Sequence, residues 1–300
     1  MNRRPTAVDA CFHGRCRGQA RVLVAAAFAA CTAAAMAQDE PKAEPVDEPE
    51  ASDDAAPEPS PQWEAALGLI ASYGPEYSGS DRYGAGVTPG FFLRWGRWTF
   101  TNASGFVTRR ADDISRGLGV DLVASRTWRV NATLRLDGGR DEDSSPDLAG
   151  MGDIDATVRV RLSGTWRFDP RWRLGGSWTV DALGRGGGQL AELSLVREQA
   201  MSPSFLWTVG AGLSMASSRY MQTYYGVTEE QSQRSGYPVY SPGAGVRNAS
   251  LNASWRRELG EHWLVLGNAS VSRLLGSAGD SPIVRQETGW GASLSAAYRF

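Results

Sequence analysis

The clearest pattern in the chain is an alternation of apolar and polar side chains between residues 154 and 183. One parity is apolar and carries Ile154, Ala156, Val158, Val160, Leu162, Gly164, Trp166 and Phe168, then Trp172, Leu174, Gly176, Trp178, Val180 and Ala182. The other parity is polar and includes Asp155, Arg159, Arg161, Arg173 and Asp181. Strict period-two alternation predicts two β-strands, and the Asp-Pro between them predicts a hairpin.

Three features of this hairpin favour a membrane barrel. Its arms reach the length of a tilted transmembrane strand, about 9 to 11 residues, whereas ordinary strands average about 5 to 6. Trp166, Phe168 and Trp172 flank the turn, where an aromatic belt would meet the lipid interface. Arginines on the inner face suit a polar lumen. The alternative is a soluble β-sandwich with one solvated face.

The same alternation predicts twelve strands in all, with ten or fourteen as alternatives, and no convincing helix. The strands cover residues 63–73, 83–95, 98–107, 117–126, 130–140, 154–168, 172–182, 190–199, 204–216, 244–256, 263–275 and a last strand ending at Phe300. Their connections alternate between short and long, and tryptophans cluster at the short ones. In outer-membrane barrels the short turns face the periplasm. We therefore predict an all-β fold, a transmembrane antiparallel up-and-down β-barrel, with both termini periplasmic.

The last strand carries its own signal. Trp290, Leu294, Tyr298 and Phe300 share one parity, and the chain printed here ends on the aromatic Phe300. A terminal aromatic residue in an alternating strand is the usual form of the signal read by the barrel-assembly machinery. We therefore expect Phe300 to serve as an assembly signal, and outer-membrane lipid and lipopolysaccharide to surround the strands.

Residues 1–37 have the features of a signal peptide. Five arginines precede an apolar run at 22–35, which is followed by the cleavage pattern Ala35-Met36-Ala37. Lipoprotein processing at Cys31 is the alternative. Because Cys11, Cys16 and Cys31 all lie in this segment, the mature chain is predicted to contain no cysteine, which excludes disulfides and thiolate metal sites.

Residues 38–62 form a second segment with its own composition. They contain six prolines, nine carboxylates and one lysine, so their net charge is −8. With almost no apolar side chain to bury, the segment is predicted to be a disordered acidic linker. A solvated spacer is the simpler interpretation, and an arm that binds peptidoglycan or a partner is the alternative. Residues 63–300, the predicted barrel, carry a net charge of +2.

Little in the sequence points to catalysis, so we expect no enzyme. Barrel hydrolases generally use a histidine base near the outer rim, but the predicted mature chain has only His262, beside Trp263 in a short turn. The acidic clusters at 141–143 and 153–155 match no cation-binding loop. The glycines at 184–188 lack the lysine and following helix of a phosphate loop. No metal, cofactor or nucleic-acid partner is expected.

Charged side chains on the polar faces give the lumen its predicted character. They are Asp155, Arg159, Arg161, Arg173 and Asp181, together with Asp121, Arg135 and Glu192. A barrel of about 12 strands lies between filled barrels of 8 and open channels of 16, so opposite charges can pair across it. An internally satisfied lumen is the preferred interpretation. A narrow pore for a small solute is the alternative.

Four loop segments resemble the MipA/OmpV family. They are Tyr77-Ser78-Gly79-Ser80-Asp81, Gly150-Met151-Gly152-Asp153-Ile154, Tyr224-Tyr225-Gly226-Val227-Thr228 and Asp280-Ser281-Pro282-Ile283-Val284. The resemblance covers nearly all of residues 63–300 with the segments in the right order, while residues 38–62 depart from the family pattern. No segment is specific alone, but the four in sequence are.

The resemblance implies an outer-membrane barrel without enzymatic activity. The family's namesake is a scaffold that joins a lytic transglycosylase to a bifunctional penicillin-binding protein, and other members are discussed as surface antigens or adhesins. Within the four segments, we expect Gly79, Gly150, Gly152 and Gly226 to need unusual dihedrals. Asp81, Asp153 and Asp280 could cap turns or bind a cation together. Loop packing is preferred over a surface ligand site.

Overall fold

The computed structural model describes residues 63–103 and 116–300. The predicted signal peptide, the predicted linker, residues 104–107 of the third predicted strand and most of the following loop lie outside the described residues. Statements about the barrel below refer to the described ranges.

Twelve antiparallel strands form one closed barrel, in which the last strand pairs with the first. The predicted fold class is confirmed. The strands are β1 Trp63–Pro75, β2 Tyr83–Trp95, β3 Trp98–Thr101, β4 Gly117–Ala124, β5 Trp128–Asp137, β6 Thr157–Asp169, β7 Trp172–Asp181, β8 Gln189–Ser202, β9 Phe205–Ala216, β10 Gly245–Leu259, β11 Trp263–Leu274 and β12 Thr288–Arg299. Each strand pairs with its neighbours in sequence, as the alternation of short and long connections predicts.

The start of β6 differs from the prediction. The strand begins at Thr157 rather than at residue 154, because Ile154 and Arg140 form an isolated bridge with backbone hydrogen bonds of 2.8 and 3.0 Å. This bridge closes the loop between β5 and β6. Asp155 consequently lies in that loop and is exposed, so it does not belong to the row of charges that faces the lumen.

The expectation of no helix was wrong. The long loops contain α1 (Ser218–Tyr225), α2 (Glu229–Ser235), α3 (Gly276–Gly279) and two single-turn 3-10 helices, Glu142–Ser144 and Pro146–Leu148. These helices span one or two turns, too short for a period of 3.6 to be visible. Local caps fix them instead: Ser217 caps α1, and Thr228 and Gln231 form a capping box at α2. None of the helices among the described residues is long and apolar enough to cross a membrane.

Apolar side chains at alternate strand positions cover the outside of the barrel. Leu67, Leu69 and Leu251 are each more than half exposed, and side chains of the same parity on neighbouring strands form a continuous apolar band. Such a band is stable only against lipid or a partner, because it would be costly to leave in water.

Aromatic side chains border this apolar band at both ends. At the short-turn end the exposed tryptophans include Trp63, Trp95, Trp98, Trp128, Trp166 and Trp263. Trp128 stacks on Trp166 with ring centroids 5.7 Å apart. Near the loop end, Tyr73, Tyr83 and Trp290 form a second cluster with centroids 5.4 to 5.6 Å apart. The two aromatic borders mark the levels at which a bilayer would end.

The side chains that line the lumen differ in size and charge from one side of the barrel to the other. Large charged side chains project from β4, β5 and β6 and from parts of β7 and β8. The middle parts of β7 to β12 present small residues, which we call the small-residue wall: Gly175, Ser177, Ser194, Gly212, Ser250, Ser270 and Ser293. At the short-turn end, Phe92 and Leu264 pack with Ala66 and Ala297 in a buried apolar cluster inside the barrel. This cluster fills one side of the lumen, beside β1, β2, β11 and β12.

Candidate functional site: a capped lumen

The loops at one end of the barrel pack together over the lumen. We call the connections 76–82, 138–156, 182–188, 217–244 and 275–287 the cap. Two buried apolar clusters hold it together. The first contains Tyr220, Met221 and Tyr225 of α1 with Leu190, Ala216, Leu274 and Ala278, and the second contains Met151, Val227 and Ile283. The cap therefore has its own core, which rests on the strand ends of β8, β9 and β11.

Three of the four family-like segments meet at Tyr225. Its hydroxyl donates to Ser78 Oγ at 3.0 Å, and its carbonyl oxygen accepts from the Ser281 hydroxyl at 2.5 Å. The Tyr77 hydroxyl donates to the Ile283 carbonyl at 2.8 Å. Tyr77, Tyr225 and Ser281 are buried, whereas Ser78 is exposed. Segments separated by more than 140 residues are thus tied at one point.

The fourth segment, at 150–153, packs against α2. Gln231 Nε2 donates to the Met151 carbonyl at 2.6 Å. Gly150 has φ +79°, and a Cβ there would lie 2.8 Å from the backbone of Arg234. Only glycine satisfies both conditions. Asp153 Oδ1 accepts from the Glu142 amide at 2.9 Å, so this acid caps a turn of the cap.

Gly79, Gly150 and Gly152 have positive φ, as predicted, but Gly226 does not. It ends α1 with φ −79° and ψ 161°, an ordinary extended conformation. Its constraint is space, because a Cβ would lie 2.2 Å from the side-chain nitrogen of Gln222. The interpretation of Gly226 as a dihedral requirement was therefore wrong.

The remaining residues of these segments divide into buried and exposed. Ser80 and Val227 are buried, Ser281 is 3% exposed and Pro282 is half-buried beside it. Tyr224 lies half-buried against the lumen. Asp81 and Asp280 are exposed. Among the described residues no group of three or more His, Cys, Asp or Glu side chains could hold a metal ion together.

Arg159 joins the cap to the barrel wall. Its side chain is 1% exposed and bonds Asp137 on the neighbouring strand, the Gly187 carbonyl at 3.2 Å and the Tyr224 hydroxyl at 3.0 Å. Its guanidinium also lies over the Tyr220 ring, 5.5 Å from the centroid. This buried cation has partners on every side, which is the condition for burying a charge without a large penalty.

The other predicted lumen charges are also engaged inside the barrel. Arg161 bonds Glu192 at 2.8 Å, and Arg173 bonds Glu198 at 2.5 Å. Asp181 forms no ion pair with an arginine of the described residues. It accepts from the Thr157 hydroxyl and from the amides of the 182–188 turn, so it shapes that part of the cap.

Sequence reasoning missed two residues that organise the cap. Asp147 accepts from Arg82 at 3.3 Å and from Arg285 at 3.2 Å, bridging three loops. Arg247 donates to the Tyr220 hydroxyl at 3.1 Å. No local signal marks either residue, because their partners lie 27 to 138 positions away.

Burial raises the pKa values of two tyrosines in the cap. Burial and the nearby Asp147 carboxylate raise the pKa of the Tyr77 hydroxyl far above its usual value. Burial also raises the pKa of the Tyr225 hydroxyl. Both groups therefore remain neutral hydrogen-bond donors at physiological pH, which the cap requires.

Beneath the cap, the lumen retains space along the small-residue wall. A cavity of about 240 Å³ is bordered there by Arg161, Glu192 and Arg247. A second cavity, of about 330 Å³, lies at the short-turn end, and Thr165 lines both. The two cavities thus lie one above the other along the described lumen, with Thr165 between them.

His262 is exposed in the turn between β10 and β11. Its ring stacks on Tyr298 with centroids 5.2 Å apart, and its carbonyl accepts from the Arg299 amide at 2.7 Å. Tyr298 in turn packs against Phe300, whose amide donates to the Ala65 carbonyl at 3.0 Å. His262 therefore contributes to the aromatic border at the closure of the barrel.

Comparison with known proteins identifies the family of this barrel. Residues 67–300 match the family model of the MltA-interacting protein MipA. The chain belongs to the MipA family. The resemblance inferred from the four loop segments is thereby confirmed, and the packed cap is where this MipA-family protein brings those segments together.

A relative and two solved barrels are similar to this chain. YiaT of Escherichia coli strain K12, an outer-membrane protein by name, is 28% identical over 163 residues, which cover 53% of this chain and 65% of YiaT, less than two thirds of that relative. The outer-membrane channel DcaP of Acinetobacter baumannii has a TM-score of 0.38 at 8% identity over 79% of this chain and 96% of DcaP. An anion-selective porin of Comamonas acidovorans has a TM-score of 0.36 at 8% identity over 79% and 98%. By family and fold this is an outer-membrane barrel of a Gram-negative bacterium.

Proposed function

We propose that this MipA-family barrel is a non-enzymatic interaction protein that links murein-hydrolysing and murein-synthesising enzymes. The observation that carries the proposal is the cap, whose buried tyrosines and apolar clusters occupy the loop end of the lumen. A barrel occupied by its own side chains is better suited to hold partners than to pass solutes. The family name, MltA-interacting protein, supports a murein enzyme as partner.

The proposed orientation places the short turns and both termini in the periplasm, as in other outer-membrane barrels. The short turns and residues 38–62 are then the surfaces that a lytic transglycosylase and a penicillin-binding protein can reach. Lipid and lipopolysaccharide would contact the apolar band, and Phe300 would be read by the barrel-assembly machinery during insertion.

The absence of catalysis is part of the same proposal. The His262 ring stacks on the Tyr298 ring at the short-turn end, away from the cap. The buried carboxylates and arginines of the lumen bond one another or the backbone, as required for folding rather than for proton transfer.

A crosslinking pull-down from intact envelopes tests the scaffold. The natural chain is compared with a matched variant in which the nine carboxylates of residues 38–62 are replaced by the corresponding amides. Enrichment of a lytic transglycosylase or penicillin-binding protein with the natural chain is the expected result, and its loss in the variant would place the contact in this segment. Recovery of neither enzyme with either chain would refute the scaffold role.

A narrow solute channel is the second candidate, favoured by the two cavities that share Thr165. Conductance across a planar bilayer separates the two functions. For an interaction protein we expect the natural chain to give no stable conductance and Tyr225→Ala, which removes the centre of the cap, to give some. Stable conductance by the natural chain would favour the channel.

A further inference from the structure

The cavity beneath the cap is lined largely by hydroxyl and amide side chains of β7 to β10. It has a volume of about 240 Å³, and we call it the serine cavity. The polar groups on this side are Ser177, Ser194, Ser214, Asn248, Ser250 and Asn252. Glycines keep the space open, because a Cβ at Gly175 would lie 2.6 Å from Ser194 Oγ and one at Gly212 would lie 2.9 Å from Ser250 Oγ.

Several of these polar groups are not used by the fold. Ser214 is 5% exposed, and its Oγ has no hydrogen-bond partner among the described residues. The hydroxyls of Ser194 and Ser250 likewise make no hydrogen bond to the residues that the structure describes. Leaving a buried hydroxyl unpaired costs stability, so such a group in a cavity is available to a polar ligand.

The charged side chains of the serine cavity are not balanced. Those that line it within the described ranges are Arg161, Arg247 and Glu192, which give a net charge of +1. Glu192 Oε2 already accepts from Arg161 at 2.8 Å and from the Ser177 hydroxyl at 3.1 Å.

Arg247 is the cation without a carboxylate. It donates to the Tyr220 hydroxyl at 3.1 Å and to Asn248 Oδ1 at 3.2 Å, and it forms no ion pair with a described residue. A guanidinium group has five N–H donors, so Arg247 retains donors for a further acceptor. The serine cavity thus combines an uncompensated cation at its cap end with a wall of free hydroxyls.

This combination suits a small anion that carries several hydroxyl groups. The volume corresponds to about eight water molecules at about 30 Å³ each, which limits the ligand to one small organic molecule. Serine hydroxyls and asparagine amides both donate and accept, so they match the hydroxyls of a polyol. A guanidinium group binds a carboxylate through charge-assisted hydrogen bonds. An apolar ligand would leave the whole wall unpaired.

We propose that the serine cavity binds a monosaccharide-sized polyol with one carboxylate, that is, a sugar acid. Arg247 binds the carboxylate, and Ser194, Ser214 and Ser250 bind the ligand hydroxyls. The ligand enters from the short-turn end, because the cap packs over the other end and Thr165 also lines the cavity next to the β4–β5 turn. Binding requires neither conduction nor a murein enzyme, so it goes beyond the scaffold role.

Titration calorimetry on the natural chain in detergent micelles tests the ligand class with three probes. Glucuronate has both the hydroxyls and the carboxylate, glucose has the same ring without the carboxylate, and acetate has the carboxylate alone. We expect glucuronate to bind at least about tenfold more tightly than either of the others, because each lacks one set of hydrogen bonds. Equal binding of glucose would overturn the role of Arg247, and equal binding of acetate would overturn the role of the hydroxyl wall.

Matched variants locate the site. Ser194→Leu fills the serine cavity and leaves the contact between Arg247 and Tyr220 in place, so it should abolish glucuronate binding. Ser270→Leu makes the same change on the small-residue wall outside the lining of this cavity, and binding should be retained. Arg247→Met should weaken glucuronate binding at least about tenfold, to the level of glucose.

Heat-dependent electrophoretic mobility shows which variants form the folded barrel, and only folded chains are compared. If the natural chain does not bind glucuronate, the proposal is wrong. It is also wrong if Ser194→Leu and Ser270→Leu bind glucuronate equally well, because the ligand then lies outside the serine cavity.

Discussion

At the loop end of the barrel, buried arginines donate to tyrosine hydroxyls and backbone carbonyls of the same chain, whereas at the short-turn end Arg167 and Arg173 share the Glu198 carboxylate. Arg159 in the first region has partners on every side. Arg173 in the second has a buried Nε without a partner among the described residues. The arginines of the cap thus connect several loops, whereas those at the short-turn end connect neighbouring strands. Both regions also contain a buried guanidinium nitrogen without a partner among the described residues, Arg140 Nε in the cap and Arg173 Nε below it. Mutations should separate the two regions by the size of their effects.

The largest effect is expected at the centre of the cap. Tyr225 is 2% exposed, and Tyr225→Ala should reduce cap stability by about 4 kcal/mol through the cavity it leaves. The matched Tyr225→Phe keeps the ring and loses only the hydrogen bond to Ser78, about 1 kcal/mol. Hydrogen exchange of cap amides measures both. Equal effects of the two variants would mean that the hydroxyl, not the packing, holds the cap.

Arg159→Met should come next, at about 3 kcal/mol, because it leaves the Asp137 carboxylate without its main partner. Adding Asp137→Asn to the same chain should recover part of the loss, since the uncompensated charge is then removed. The double-mutant cycle is measured on the same amides. Purely additive effects would argue against direct coupling between Arg159 and Asp137.

How much of these regions the sequence predicts depends on how far apart in the chain the interacting residues lie. Period-two alternation is local, so it predicted the strands, their faces and the position of Arg159 on a polar face. It did not predict the bridge between Arg140 and Ile154, which moved Asp155 out of the lumen. The contact between Tyr225 and Ser78 spans 147 positions, and no local pattern specifies it. The family-like segments marked the right loops without revealing that they meet.

A glycine comparison tests the close packing of α2 on the 150–153 segment. Gly150→Ala should cost about 2 kcal/mol, because it combines a left-handed conformation with a collision against the backbone of Arg234. Gly184→Ala also sits at positive φ, +69°, but faces open space, so about 1 kcal/mol is expected. Protease resistance of the cap reports the difference. Similar losses in both variants would remove the evidence for tight packing at Gly150.

Alkaline pH should weaken the cap while leaving the short-turn end unaffected. The folded pKa values of Tyr77 and Tyr225 are raised, so their contribution is fully present below the ordinary tyrosine value of about 10. It is lost as pH rises from there toward the folded values. At pH 11 the loss is at most about 1.4 kcal/mol for each group. In a pH titration, tyrosinate absorbance should therefore show a second rise above the ordinary tyrosine pKa, accompanied by faster hydrogen exchange of cap amides. If this second rise does not occur, the pKa values of Tyr77 and Tyr225 are not raised.

The smallest effect is expected at the short-turn end. Arg126→Gln removes one exposed charge there, so in 1 M salt stability should not change, and at low salt it should change by at most about 0.5 kcal/mol. Urea unfolding at the two salt concentrations measures the change. A loss as large as that of Arg159→Met would remove the contrast between the two ends.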